Sequence, residues 1–173
     1  VDATLIRLLD GSKIYLHAII DNFSRRILAW KTSATFDPSI TADLLIQAEK
    51  EISSPKSPDV NVEVMVDGGV ENYNRTADAT IDELNLKRIL AQTEVTFSNS
   101  MIEAWCRVLK HQWLFLHTLD TLASVTKLVA FYVAQHNEHL PHSAFKGQTP
   151  DEMYFGTGSE IPERLERERL AAR

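Results

Sequence analysis

The feature that most constrains the fold is a run of three short apolar stretches at the start of the chain, separated by tight-turn sequences. The three stretches cover residues 3–9, 14–20 and 26–30. Asp-Gly-Ser follows the first stretch and Asp-Asn-Phe-Ser follows the second, and both are typical of turns between strands. The pattern therefore predicts three strands joined as an antiparallel meander.

The hydrophobic spacing then changes to that of alternating helices and strands. Helical spacing begins after Asp37-Pro38, a capping residue followed by a proline at the first helical position. We expect helices at 40–52, 76–84, 101–116 and 122–137, and strands at 62–66 and 87–91. This order predicts an α/β fold with a mixed five-stranded sheet, in which two parallel strands extend the meander and helices cover both faces.

Length, composition and charge limit the class of protein. The 173 residues suit one domain, and 44% hydrophobic with 24% charged residues excludes a disordered chain. The longest apolar run, within 14–20, is too short to cross a membrane, so no membrane partner is expected. A lone cysteine, Cys106, favours a reducing cytoplasm. The net charge of −6 argues against DNA binding by the overall surface field alone.

Three carboxylates stand out by their positions in the predicted elements. Asp2 lies at the start of the first strand, Asp67 ends the fourth, and Glu103 lies in the first turn of a long helix. Ligands collect beside strand ends in open α/β sheets, so these side chains are candidates to meet at one site. Oxygen ligands alone select Mg²⁺ or Mn²⁺, and two such ions support phosphoryl transfer.

Each of these carboxylates also has a structural interpretation. Asp67-Gly68 is an ordinary turn sequence, Ser100-x-x-Glu103 is a helix capping box, and Asp2 is compatible with a surface position. Asp21 is the one rival metal ligand, although we favour a turn carboxylate paired with arginine. The role of Glu71, four residues after Asp67, stays open.

Two other groups of reactive side chains are more simply explained as structural. His136, His139 and His142 straddle a proline and have no cysteine nearby, so we expect surface or structural roles instead of a zinc site. Cys106 falls on the apolar stripe of its helix, which predicts a buried, unreactive thiol.

The helix that carries Glu103 also carries two basic residues on the same face. Arg107 and Lys110 follow Glu103 at i+4 and i+7. A basic strip beside a metal site would guide a DNA backbone, whereas a solvated face with a weak ion pair is the alternative. We favour DNA contact for Lys110 and leave Arg107 open between the two interpretations.

The sequence resembles the catalytic core of the D,D,E transposases of bacterial insertion sequences and, more distantly, retroviral integrases. Thirty-five residues separate Asp67 from Glu103, and Lys110 follows seven residues later. The resemblance covers residues 1–156 and rests on five strings in order: VDATLI, IIDNFSRRILAW, VDGGVENYN, FSNSMIEAWCRVLK and QHNEHLPHSAFKGQTPDEMY. It divides the chain into a core at 1–156 and a charged extension at 157–173.

The resemblance implies a ribonuclease-H-like fold and a metal-dependent DNA polynucleotidyl transferase. Asp2, Asp67 and Glu103 would hold two Mg²⁺ or Mn²⁺ ions, and Lys110 would contact DNA near the scissile bond. The implied reaction cleaves DNA at the 3′ end of a mobile element and joins that end to target DNA. The implied partners are element ends, target DNA and further copies of the chain in a homodimer or higher multimer, in a bacterial cytoplasm at the nucleoid.

Two departures from the family pattern qualify what the chain does alone. Leu140 stands where the family usually has arginine before the Pro-His-Ser block, and the sequence lacks the helix-turn-helix segments of a full-length transposase. We therefore expect weak DNA binding without sequence preference. The alternatives are a structure-specific nuclease on the same fold and a non-catalytic module for DNA binding or assembly.

Overall fold

The computed structural model describes residues 1–37, 39–52, 62–66, 75–84, 86–90 and 100–172. The chain begins with the predicted meander. Its strands are β1 (Asp2–Arg7), β2 (Lys13–Ile20) and β3 (Ile27–Ser33), paired antiparallel in the order β1-β2-β3. The turn sequences fix this arrangement, because they leave too few residues for any crossover between parallel strands.

The middle strand of the meander is buried on both faces. On one side, Leu16 and Ala18 of β2 join a hydrophobic cluster, while Ile19 joins a second cluster on the other side. His17 also points to the second side and is 1% exposed. Successive side chains of a strand point to opposite faces, so an unbroken apolar run is what a strand covered on both faces requires.

Two further strands form a parallel pair. β4 (Glu63–Val66) and β5 (Lys87–Leu90) lie in parallel register and are connected through helix α2 (Arg75–Glu83), as the sequence predicted. Backbone pairing divides the described strands into a three-stranded and a two-stranded sheet. The prediction of one continuous five-stranded sheet is therefore not confirmed. The nitrogen of Val1, next to β1, donates a hydrogen bond of 2.9 Å to the Met65 carbonyl of β4.

Helices cover both faces of the meander. Helix α1 (Ser39–Ile52) packs on one face, together with β4 and α2. Helices α3 (Ser100–Gln112) and α4 (Leu122–Ala134) pack on the other. The predicted first long helix ends early, at Gln112 instead of 116, because Leu114–Leu116 forms a tighter 3₁₀ turn that buries Leu114 completely.

The second long helix also ends differently from the prediction. Its last turn, Gln135–His139, widens into a π-helix that presents Asn137 to the sheet. The Asn137 amide accepts from the Ile27 nitrogen at 2.9 Å and donates to the Ile27 carbonyl at 3.0 Å. A side-chain amide thus provides the hydrogen bonds that a neighbouring strand would give to the start of β3.

Two short helices complete the chain. Helix α5 (Pro150–Phe155) was not predicted, although Thr149 and Glu152 form a capping box around a proline at the first helical position. Helix α6 (Ile161–Ala171) is exposed along most of its length, as its charged sequence predicted. No helix in the described part of the chain has the length and apolar character that crossing a bilayer requires.

Candidate active site

Strand β1 presents Asp2 toward helix α3. Asp2, Thr4 and Ile6 alternate along the strand and therefore share one face. Ile6 is 1% exposed and belongs to the cluster that includes the apolar residues of α3. Two residues before Ile6, the Thr4 hydroxyl accepts a hydrogen bond from the Lys110 ammonium of α3. Asp2 thus lies at the beginning of β1 on the face that α3 covers.

Helix α3 carries its charged residues on one flank of its buried stripe. Ile102 and Leu109 are almost fully buried against the sheet, which fixes the rotation of the helix. Glu103, Cys106 and Lys110 follow one another at i, i+3 and i+7, so they line the same flank. Glu103 is exposed in the first turn, while Lys110 is half-buried two turns later.

The pKa of the Cys106 thiol depends on burial and on the charged groups around it. Its pKa is raised to about 12, chiefly by burial and to a smaller extent by the nearby carboxylates of Asp2 and Glu103. Lys110 acts in the opposite direction. Asp2, Glu103 and Lys110 are therefore all within electrostatic reach of one buried sulfur atom, although 100 residues separate Asp2 from Glu103. The thiol itself stays protonated, which confirms the prediction of an unreactive cysteine.

Asp67 lies outside the described residues. The last residue before it that the structure describes is Val66, which ends β4 and is 1% exposed. Within the described ranges, no group of three potential ligands is close enough together to hold a metal. Asp2 and Glu103, the two carboxylates that raise the pKa of Cys106, offer only oxygen donors, and the protonated Cys106 thiol offers no thiolate. This donor set fits a hard divalent cation such as Mg²⁺.

The two basic residues of the α3 flank differ in their surroundings. Lys110 is tied to β1 through Thr4, so it is not part of a fully solvated face. Arg107 is exposed on the outer side of the helix. Thr4 was missed by the analysis of the sequence, although it follows Asp2 by two residues and must therefore lie on the same face of β1.

Asp21, the rival metal ligand, is engaged in a turn. Its carboxylate accepts hydrogen bonds from the Ser24 nitrogen at 2.8 Å and from the Ser24 hydroxyl at 2.5 Å. This confirms the turn interpretation. The arginine next to this turn, Arg26, pairs instead with Asp151 at 2.7 Å and with Glu51 at 3.3 Å.

The three histidines that suggested zinc are separated by their hydrogen bonds. His136 Nε2 donates to the Arg25 carbonyl at 2.8 Å, whereas His142 Nδ1 accepts from the Ala144 nitrogen at 3.3 Å. His139 is exposed. The structural roles expected for His136 and His142 are therefore confirmed. Burial lowers the pKa of both histidines, so both rings are neutral at pH 7.

Sequence comparison finds relatives encoded by bacterial insertion sequences. No family model matches the chain. An uncharacterised protein of insertion element IS136 from Agrobacterium fabrum is 29% identical over 82% of this chain and 73% of its own length. The transposase of IS904 from Lactococcus lactis is 23% identical over 86% of this chain. The putative transposase InsK of IS150 from Escherichia coli is 22% identical over 83%. The chain spans 57% and 49% of these two transposases, about half of each.

Structure comparison finds catalytic cores with the same fold. A chain of a simian T-cell lymphotropic virus intasome in complex with a PP2A regulatory subunit superposes with a TM-score of 0.71. The two chains are 14% identical, and the match covers 88% of this chain and 51% of the other. The HTLV-2 integrase catalytic core domain in complex with magnesium superposes with a TM-score of 0.65. It is 16% identical, over 88% of this chain and 91% of its own. The Mos1 transposase catalytic domain superposes with a TM-score of 0.59 and is 15% identical, over 95% of this chain and 78% of its own. These superpositions establish a shared ribonuclease-H-like fold, and the low sequence identities support no conclusion beyond the fold. The chain is therefore similar in sequence to insertion-sequence transposases and in fold to integrase and transposase catalytic cores.

Proposed function

We propose that this chain is the metal-dependent catalytic core of a DNA transposase, with Asp2, Asp67 and Glu103 as its three catalytic carboxylates. One observation carries the proposal: Asp2 and Glu103 come from distant parts of the sequence, yet both act on the same buried Cys106 thiol, with Lys110 beside them. The curated relatives named as transposases support the same assignment.

The inclusion of Asp67 in the proposed site is based on the position of β4, the strand that precedes it. The nitrogen of Val1 donates to the carbonyl of Met65, two residues before Asp67 in the chain. We propose that β1 and β4 are neighbours in one five-stranded sheet and that this pairing brings Asp67 to Asp2. The proposed core spans residues 1–156, with 157–173 as a charged extension.

The chemistry assigned to this site is transfer of a phosphodiester bond. Two bound Mg²⁺ ions would lower the cost of charge on the attacking and leaving oxygens. Asp2 and Glu103 provide the negative charge that holds cations at the start of β1. Lys110, fixed by Thr4, provides a positive charge for the phosphate backbone of element-end or target DNA. We propose that the active form contains two or more copies of the chain.

A strand-transfer assay tests the proposal most directly. The transposase that contains this chain is incubated with pre-cut element ends, plasmid target DNA and Mg²⁺, and joined products are measured. We expect joined products in Mg²⁺ and none in EDTA. Cleavage without joining would indicate a structure-specific nuclease instead. DNA binding without either reaction would indicate a non-catalytic module.

A further inference from the structure

A second groove lies beside α3, on the side away from Glu103. It has a volume of about 340 Å³ and runs between α3, the end of α4 and the turn that carries Arg25. Its apolar floor comes from α3 residues Met101, Ala104 and Val108. Val108 is five residues after Glu103, which corresponds to roughly 140° around the helix. The groove is therefore a separate feature from the proposed active site.

Three side chains bring hydrogen-bond donors to the groove: Arg25, Trp105 and His142. Trp105 is 5% exposed, and its indole N–H has no acceptor among the described residues. His142 Nδ1 accepts from the Ala144 nitrogen, so the proton of this neutral ring is on Nε2. Arg25 adds a guanidinium group. No carboxylate is among the described residues that line the groove, in a chain whose net charge is −6.

Arg25 occupies a backbone position that favours glycine. Its φ is +65°, in the left-handed region, where a side chain with a Cβ atom is disfavoured. Arg25 also lies close to His142, since its charge adds to the effect of burial in lowering the pKa of that ring. A residue retained at a conformational cost, with its charge at a groove free of described carboxylates, indicates a use for the side chain itself.

Aromatic rings form one wall of the groove. The ring centroids of Trp105 and Tyr132 are 6.0 Å apart, and the rings of Tyr132 and His136 stack at 6.3 Å with 15° between their planes. A cationic groove with aromatic and apolar walls is the combination that single-stranded nucleic acid selects. An acidic peptide would use the cation but has less need of a stacked aromatic wall.

We propose that this groove binds one nucleotide unit of the DNA substrate, with its phosphate on Arg25 and His142 and its base over the aromatic and apolar walls. The proposal rests on the DNA substrate of the proposed function but not on catalysis. It assigns α3 two separate contacts with DNA, one on each flank. The groove contact is independent of metal, because its polar groups are neutral or positive.

The left-handed position of Arg25 provides a variant that removes the cation without damage to the fold. Arg25→Gly relieves the backbone, so its melting temperature should equal or exceed that of the wild type. Lys146→Gly is the matched control: Lys146 is exposed, its φ is +52°, and it does not line the groove. Both variants lose one positive charge and gain a glycine in the same backbone region.

Binding of the 173-residue chain to a short fluorescent oligothymidylate is measured by anisotropy in EDTA over a series of salt concentrations. We expect Arg25→Gly to weaken binding about fivefold and to reduce the salt slope by about 0.7. Lys146→Gly should change the affinity less than about twofold. A second variant, Val108→Glu, places a carboxylate in the groove and should weaken binding at least as much as Arg25→Gly.

Equal effects of Arg25→Gly and Lys146→Gly would overturn the proposal, and so would undetectable binding by the wild type at low salt. The measurement does not depend on strand transfer. A groove effect without any joining activity would contradict the proposed function and leave this inference intact. Joining activity together with unchanged DNA binding by Arg25→Gly would contradict the groove inference and leave the proposed function intact.

Discussion

The two flanks of helix α3 have opposite electrostatic character. One flank, with Glu103 and Lys110, faces the start of β1 and lies beside Asp2, so carboxylates dominate it. The other flank borders the groove of Arg25 and Trp105, which no described carboxylate lines. A single amphipathic helix thus separates the proposed cation site from the proposed nucleotide site.

The buried stripe of α3 keeps the two flanks apart. Ile102 and Leu109 are almost fully buried in the core and prevent the helix from rotating. Since a helix turns 100° per residue, fixing this stripe also fixes the direction of Glu103 on one side and of Val108 on the other. The packing of one buried stripe therefore determines the position of two chemically different surfaces. Four predictions concern these surfaces and the sheet that α3 covers.

The largest effect is expected from Glu103→Gln on the carboxylate flank. The amide keeps the shape of the side chain but loses the charge that holds a cation, so strand transfer should fall by roughly a thousandfold or more. Because Glu103 is exposed, the melting temperature should stay the same. Glu163→Gln, an equally conservative change on exposed α6, is the control. Retained joining activity in Mg²⁺ would remove Glu103 from the catalytic assignment.

A metal-dependent melting series tests Asp67 against Asp21, its rival. Mn²⁺ at a hundredfold excess over its dissociation constant should stabilise the wild type by about 2.7 kcal/mol. Asp67→Asn should lose most of this gain, and its stability without metal should be unchanged or higher, because like-charge repulsion is relieved. Asp21→Asn should respond as the wild type does, since Asp21 serves a turn. Identical responses from all three proteins would contradict the metal site.

The pH dependence of stability tests the opposite side of the sheet from α3. Burial lowers the pKa of His17, an effect that Asp37 partly opposes and Lys31 reinforces. Neither ring nitrogen has a hydrogen-bond partner among the described residues. The folded protein therefore binds a proton less readily than the unfolded chain, whose histidine pKa is about 6.5. Stability is complete above that pH and falls as the pH decreases, by up to about 1.4 kcal/mol per unit of pKa depression.

Thermal melts between about pH 7 and pH 5 measure this effect apart from the carboxylates, which titrate lower. Removing the buried imidazole in His17→Leu should flatten the pH dependence. Replacing the exposed His139 by Gln should preserve it. His136 and His142, whose pKa values burial also lowers, account for the slope that remains in His17→Leu. A melting temperature that is independent of pH in the wild type would contradict the prediction.

The smallest effect is expected from Lys110→Ala. Losing one phosphate contact should reduce the salt slope of DNA binding by about one unit while metal binding stays nearly unchanged. Lys127→Ala, on the exposed part of α4, controls for the general loss of one charge. If both variants give the same salt slope as the wild type and full joining activity, Lys110 does not contact DNA.

Local patterns in the sequence determined the elements of this fold. Turn sequences and short apolar stretches predicted the meander, because both depend on neighbouring residues alone. The sequence also identified Asp2, Glu103 and Lys110 as candidates from their places on strand and helix. It did not identify Thr4, whose role depends on the distance to Lys110 across the packed core.

Only the tertiary structure decided which distant residues meet. The π-turn that brings Asn137 to β3 interrupts a regular helical pattern, because pairing with Ile27 outweighs the local helix. Likewise, the sequence spaced Arg25, Trp105 and His142 too far apart to suggest a common groove. Their meeting depends on how α3 and α4 pack on the sheet, and packing is a property of side-chain volumes across the whole core. Propensities and spacing act over a few residues, so the sequence predicted the elements and the core packing assembled the sites.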